Sequence, residues 1–247
     1  MTEAGRRIAV VTGASGGVGR AIAAALAAQG LSLCLTGRDL ERLRRVADAL
    51  ASGGARPTVV PADLGSDEGV RRLVAAVQAL GRADVLVHCA GALRLADIAA
   101  SGWDDLDELY RVNLRAPYLV TKSLLPMLRE SQGQIVFVNS SAGLRGGAEN
   151  VLYAATKSAL RSLADGIRDS VNALGIRVLS VFPGRTDTAM QERVRAFEGK
   201  CYQPEILLQP GDVAAVVVNA LMLPRTAEVT DIMMRPMRKP SNERRTP

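Results

Sequence analysis

The sequence predicts an α/β protein, a doubly wound parallel β-sheet with helices on both faces, and three observations predict it. Short runs of almost uninterrupted apolar residues recur along the chain, as strands buried on both sides of a parallel sheet require. Longer Ala/Leu/Arg-rich stretches with helical spacing separate them, so strand and helix alternate along the chain. The first strand leads straight into a turn with glycines at Gly13, Gly16, Gly17 and Gly19, followed at once by a helix.

Taken in order, the first strand is expected at 8–12, where Ile-Ala-Val-Val precedes Thr12, and the first helix at 20–29. Strand 32–36 (Ser-Leu-Cys-Leu-Thr) precedes helix 40–52, for which Asp39 is placed as the N-cap. Strand 58–61 is followed by helix 66–80, and strand 85–88 by a long helix over 103–128. Strand 135–139, helix 152–174, strand 177–182, helix 212–221 and a last strand at 229–233 complete the series. No composition break divides the chain, so one domain is expected over 1–237, with a basic tail at 238–247 carrying Pro240 and Pro247.

The bulk numbers exclude several classes. With 247 residues, 48% hydrophobic and 23% charged, the chain has a globular profile and enough length for a substantial core. No uncharged apolar run reaches membrane-spanning length, and the polar start has no secretory h-region, so neither a span nor a signal is expected. Cys34, Cys89 and Cys201 are too few and scattered for a disulfide framework, and a reducing, cytoplasmic setting is expected. The net charge of +6 suggests nucleic acid, but aromatics are only 3% and no base-reading module is present, so no nucleic-acid partner is expected. The tail is read as a solvated end. His88 is the only histidine, which rules out any site needing two; no metal is expected, and His88 is read as structural.

Two motifs carry chemistry. A dinucleotide pyrophosphate needs a tight turn, close backbone approach without Cβ atoms, and the amides and positive dipole end of a helix. The turn Thr12-Gly13-Ala14-Ser15-Gly16-Gly17-Val18-Gly19 supplies these between strand and helix. Tyr153 and Lys157 lie at i and i+4, so they share a helix face. Reduction of a carbonyl needs a proton donor at its oxygen, and Lys157 together with the positive nicotinamide of an oxidised cofactor is expected to favour phenolate and lower the pKa of the phenol.

The Thr-Gly-x-x-x-Gly-x-Gly spacing resembles the short-chain dehydrogenase/reductase family, and further matches follow down nearly the whole chain. The resemblance implies a Rossmann-type dinucleotide-binding domain and an NAD(P)-dependent oxidoreductase acting on a small-molecule carbonyl or alcohol. The family's position for a ribose-binding carboxylate is Gly37 here, and Arg38 follows, able to pair with a 2′-phosphate; NADPH/NADP+ is therefore expected over NADH/NAD+. Asp63-Leu64 resembles the adenine-contacting pair, and Ala90-Gly91 the end of the family's Asn-Asn-Ala-Gly, from which His88 and Cys89 depart. Two serines follow the fifth strand; the family's thirteen-residue gap to the tyrosine selects Ser140 as catalytic and leaves Ser141 as a strand-end cap. Asn113 matches the fourth catalytic residue, which holds a water linking the lysine to solvent. Pro183, Gly184, Thr186 and Thr188 match the cofactor-binding segment after the sixth strand. The resemblance also implies a homotetramer or homodimer packed through the helices holding Asn113 and Tyr153. A substrate lid is expected at about 190–209, where Arg193, Arg195 and Lys200 suit either an acidic substrate or a solvated face. The alternative to an enzyme is a non-catalytic NADP-binding regulator on the same fold.

Overall fold

The computed structural model describes residues 6–51 and 56–238; the expected tail from 239 onward lies outside them. In chain order the elements are β1 (Ile8–Thr12), α1 (Gly17–Ala28), β2 (Ser32–Gly37), α2 (Leu40–Ala51), β3 (Thr58–Pro61), α3 (Asp67–Ala79) and β4 (Val85–His88). Then follow α4 (Trp103–Tyr110), α5 (Ala116–Glu130), β5 (Gln134–Val138), α6 (Val151–Val171), β6 (Arg177–Pro183), α7 (Ala189–Phe197), α8 (Pro210–Met222) and β7 (Asp231–Met234). The strands form one sheet in the order β3-β2-β1-β4-β5-β6-β7, every pair parallel.

Strand periodicity divides the core in two. Successive side chains point to opposite faces, so Ala9 and Val11 of β1, Leu35 of β2 and Val87 of β4 pack under α1, α2 and α8. Their neighbours Val10, Cys34 and Leu86 go to the other face, under α3, α5 and α6. Both faces being apolar is why these strands read as continuous hydrophobic runs and not as alternating ones.

Three differences from the sequence expectation have local causes. The helix expected over 103–128 is interrupted at Arg111–Arg115 by a π-helical turn that contains Asn113. One extra residue in the turn re-aims a side chain, and such bulges cluster at functional sites. Helix α7 lies inside the segment expected as a lid; Thr188 caps it by accepting from Gln191 N (3.2 Å), and Gly199 at φ +64° follows its end. Helix α8 begins two residues early because Pro210 suits a first helical position.

The winding reverses between β1 and β4, which are neighbours in the sheet but not in sequence. Loops leave the carboxyl ends of these strands in opposite directions and open a crevice there. The conspicuous cleft of the molecule, about 1100 Å³, lies along that edge.

Candidate active site

The β1–α1 turn forms one wall. Gly13 has φ +65°, and a Cβ there would lie 2.7 Å from Ala90 N, so handedness and close approach both exclude a side chain. A Cβ on Gly19 would meet Gly13 O at 2.3 Å, which is how the first turn of α1 closes onto the strand end. Ser15, Gly16, Gly17 and Val18 complete the turn and line the cleft with these two. The N-cap of α1, Gly16, offers no side-chain acceptor, whereas Ser66 caps α3 and Thr188 caps α7. An uncapped first turn at the positive end of a helix suits a phosphate.

Thr12, expected to bind cofactor, does not line the cleft. It is 1% exposed; its Oγ1 accepts from Cys89 N (2.9 Å) and Ala90 N (3.1 Å) and donates to Val87 O (3.2 Å). A hydroxyl has one proton and two lone pairs, all engaged here. Thr12 thus ties β1 to the end of β4 and holds Ala90 and Gly91 at the cleft wall.

At the end of β2, a Cβ on Gly37 would meet Ser15 Oγ at 3.1 Å and Leu43 Cδ2 at 3.5 Å. Little room is left for a carboxylate. Arg38 lines the cleft, as do Arg20 of α1 and Arg42 of α2, which were not anticipated from the sequence. No carboxylate among the described residues pairs with these three. Asp39 caps α2, accepting from Arg42 N at 3.0 Å. Beyond β3, Asp63 and Leu64 line the cleft, and the Asp63 carboxylate accepts from Gly65 N (3.0 Å).

His88 is buried, bonded through Nε2 to Thr121 Oγ1 (2.8 Å) and stacked on Phe137 with ring centroids 4.9 Å apart. Burial pushes its pKa down to about 3, so it stays neutral. Cys89 faces the cleft, and burial raises its thiol to about 12 against the pull of Lys157.

Asn113 also does not line the cleft. It is fully buried; Oδ1 accepts from Ala92 N (2.8 Å), and Nδ2 donates to Ala92 O (3.0 Å) and Thr156 Oγ1 (3.1 Å). Both amide protons are engaged, so of the implied water contacts only one through the remaining Oδ1 lone pair is open to it. Its observed work is to clasp the chain after Gly91 to α6.

The ends of β5 and α6 meet at the reacting groups. Asn139, missed from the sequence, accepts from Ser140 N (2.9 Å) and donates to Lys157 O (3.1 Å), fixing the strand end against the helix. Ser140 Oγ accepts from Ala142 N (3.1 Å) and is hydrogen-bonded to the Tyr153 hydroxyl. Ser140 itself therefore provides the cap expected of Ser141, which is exposed in a short 3₁₀ turn. Lys157 is buried, donates to Val138 O (3.2 Å), and its Nζ sits 5.9 Å from the centre of the Tyr153 ring. Burial raises the Tyr153 phenol above the ordinary tyrosine value, only partly offset by Ser140. Burial also lowers Lys157 to about 8. Desolvation dominates both shifts and favours the neutral form of each group.

After β6, Pro183, Gly184, Thr186 and Thr188 all line the cleft. The segment is zipped to the chain before α8 by Asp187 N to Leu208 O (2.8 Å) and Leu208 N to Arg185 O (3.1 Å). Arg195 turns inward, 3% exposed, to Glu198 (3.2 Å) and Cys201 O (2.9 Å). Glu198 also accepts from Arg185 (3.0 Å) and lies 3.9 Å from Lys200. Burial works to raise the Glu198 pKa, but Arg185, Lys200 and Arg195 outweigh it and hold it low. Tyr202 donates to Asp187, and its phenol is pushed to about 12 by desolvation and then by that bond. Gln191 lines the cleft with a buried Nε2 that has no partner among the described residues.

These features fit a nicotinamide dinucleotide: a side-chain-free phosphate turn, three arginines among the cleft-lining residues, one of them directly after β2, and a buried amide donor at Gln191. The family model described as short chain dehydrogenase matches residues 7–199. An uncharacterized oxidoreductase of Staphylococcus aureus strain MRSA252 is 33% identical over 239 residues, spanning 96% of this chain and all of the relative. The alcohol dehydrogenase of the archaeon Thermococcus sibiricus, solved with 5-hydroxy-NADP, superposes with a TM-score of 0.86 at 28% identity, covering 96% of this chain and 99% of that one. A metagenomic short-chain oxidoreductase solved with NADP gives 0.81 at 29% identity, covering 94% and 98%. The chain belongs to the short-chain dehydrogenase family and is an oxidoreductase of the class acting on CH–OH/C=O groups with a nicotinamide nucleotide. Among the described residues, no helix is long and apolar enough to cross a membrane.

Proposed function

We propose that this protein reduces a ketone or aldehyde to an alcohol with NADPH. The observation that carries the reading is a phenol held protonated by burial, hydrogen-bonded to Ser140 and one helical turn from Lys157, in the cleft that the glycine turn opens. A reduced nicotinamide, when bound, supplies the hydride to the carbonyl carbon. Ser140 positions the carbonyl oxygen, and the Tyr153 hydroxyl delivers the proton that completes the alcohol. A phenol of raised pKa is protonated at neutral pH, which is the state reduction needs. The Lys157 ammonium stabilises the phenolate left behind and helps draw in the replacement proton. Asn113 and Asn139 act as positioning residues for the β4 and β5 ends. The 2′-phosphate contact is assigned to Arg38 with Arg20 and Arg42, and Gly37 disfavours the carboxylate that would select NADH.

The same reading makes the protein a homo-oligomer. Trp103 (91% exposed), Tyr110 and Tyr118 leave aromatic surface along the α4–α5 face, which a second copy would cover. Light scattering on eluted protein checks this; a monomer at micromolar concentration overturns it.

The test of function is a paired titration with NADPH and NADH, followed by oxidation of the preferred nucleotide across a carbonyl panel. Turnover that disappears in Tyr153→Phe supports the reading. Tight binding with no turnover favours a regulator, and no binding of either nucleotide overturns the cofactor site.

A further inference from the structure

Helix α7 lines the cleft with apolar residues that neither the cofactor nor the proton chemistry uses. Met190, Val194 and Phe197 occur at i, i+4 and i+7 and all line the cleft, so they share one face of the helix. Phe197 is 51% exposed there, a large aromatic ring with half its surface open. Leu93 and Leu95, from the chain after Gly91, line the same cleft; the Ala96–Asn150 bridge ties that chain to the start of α6, three residues before Tyr153.

The charges around this pocket cancel or are engaged. Arg185, Arg195 and Lys200 converge on Glu198. Asp187 is held by Tyr202. What remains lining the cleft from the segments flanking Tyr153 and in α7 is Arg145, Glu149, Glu192 and Arg193, two of each sign and all exposed. Exposed charges in equal numbers of each sign are screened by solvent and give little net pull on an ionic substrate.

We infer that the substrate is a carbonyl compound bearing an apolar alkyl or aryl substituent, seated against Met190, Val194 and Phe197 on one side and Leu93 and Leu95 on the other. This rests on the reductase reading above. An apolar group there removes water from five apolar side chains, whereas a polyhydroxylated or carboxylated group would lose its own hydration with no buried charge or donor array in return. Lining of this kind discriminates by size: one methylene is worth roughly ten- to two-hundredfold in kcat/KM.

The experiment measures kcat/KM with NADPH for 2-octanone, acetophenone, dihydroxyacetone and levulinate, on the wild-type protein and on Phe197→Ala. The two apolar ketones are expected to exceed the polar pair by at least about tenfold, and Phe197→Ala to lower them about tenfold while changing dihydroxyacetone less than about threefold. NADPH affinity and the circular dichroism spectrum, measured alongside, should be unchanged in the variant. Preference for levulinate that Arg193→Ala abolishes, or preference for dihydroxyacetone, overturns the inference and leaves the reductase reading standing. An equal loss on all substrates in Phe197→Ala also overturns it. Intact NADPH binding with no probe reduced overturns the reductase reading, and the inference with it.

Discussion

Around the β1–β4 crevice the cleft is made of backbone, and around β5, β6 and α7 it is made of side chains. The first region works through missing Cβ atoms at Gly13 and Gly19, an uncapped helix end, and a strand end held by Thr12. The second depends on Ser140, Tyr153, Lys157 and the α7 face, brought together from separate segments by Asn139, Asn113 and the Glu198 cluster. A phosphate is the same on every dinucleotide, so generic amides recognise it. Substrates differ, so that wall needs particular side chains. The two regions should therefore fail in different ways when altered.

The largest expected effect belongs to the side-chain region. Tyr153→Phe should lower kcat by roughly 10²–10⁴-fold, the usual contribution of a positioned proton donor, with NADPH affinity nearly unchanged by fluorescence titration. If binding falls as much as turnover, the division between the two regions is wrong. Next comes the cofactor wall: Arg38→Ala should weaken NADPH by roughly tenfold or more, the scale of a charge-assisted hydrogen bond, and leave NADH little changed. Equal losses for both nucleotides would remove the 2′-phosphate assignment.

Titration sharpens the comparison further. Because burial lowers Lys157 to about 8, its ammonium is present below that pH and lost above it. The reductive kcat/KM should fall by about one log unit per pH unit above the Lys157 pKa, while NADPH affinity stays flat as long as the phosphate wall alone dominates it. A flat rate profile to pH 9.5 would remove Lys157 from the proton chemistry. The remaining effect is on stability. Asn113→Ala leaves Ala92 N and O without their partner, which costs about 1–3 kcal/mol per group if no water replaces it. Thermal unfolding should show that loss, with a smaller change in NADPH affinity than Arg38→Ala; an unchanged Tm would mean the clasp contributes nothing.

Which parts were legible follows from the same distinction. The strands were readable because two-sided burial imposes continuous hydrophobicity, and the phosphate turn because only glycine meets its backbone demands. Tyr153 and Lys157 were readable because i,i+4 spacing is local. The tie that Thr12 makes was not legible because its partners, Val87, Cys89 and Ala90, lie more than seventy residues away, at and just beyond the end of β4. The upward push of burial on Tyr153 was not legible because charge proximity is visible in sequence whereas desolvation is a property of the packed interior. Arg195 looks like a surface cation in sequence, and only the fold shows it turned in toward Glu198.

The sequence by itself determined the alternating βα architecture, the glycine turn and the family to which the chain belongs, since these rest on periodicity and on short-range backbone constraints. Tertiary structure alone decided that Asn113 sits in a π turn and clasps α6, that Ser140 and not Ser141 caps the strand end, and that α7 presents an apolar face to the cleft. Those outcomes depend on which distant groups share a buried volume, and burial, through its cost to unpaired polar and charged atoms, is set only when the chain has folded.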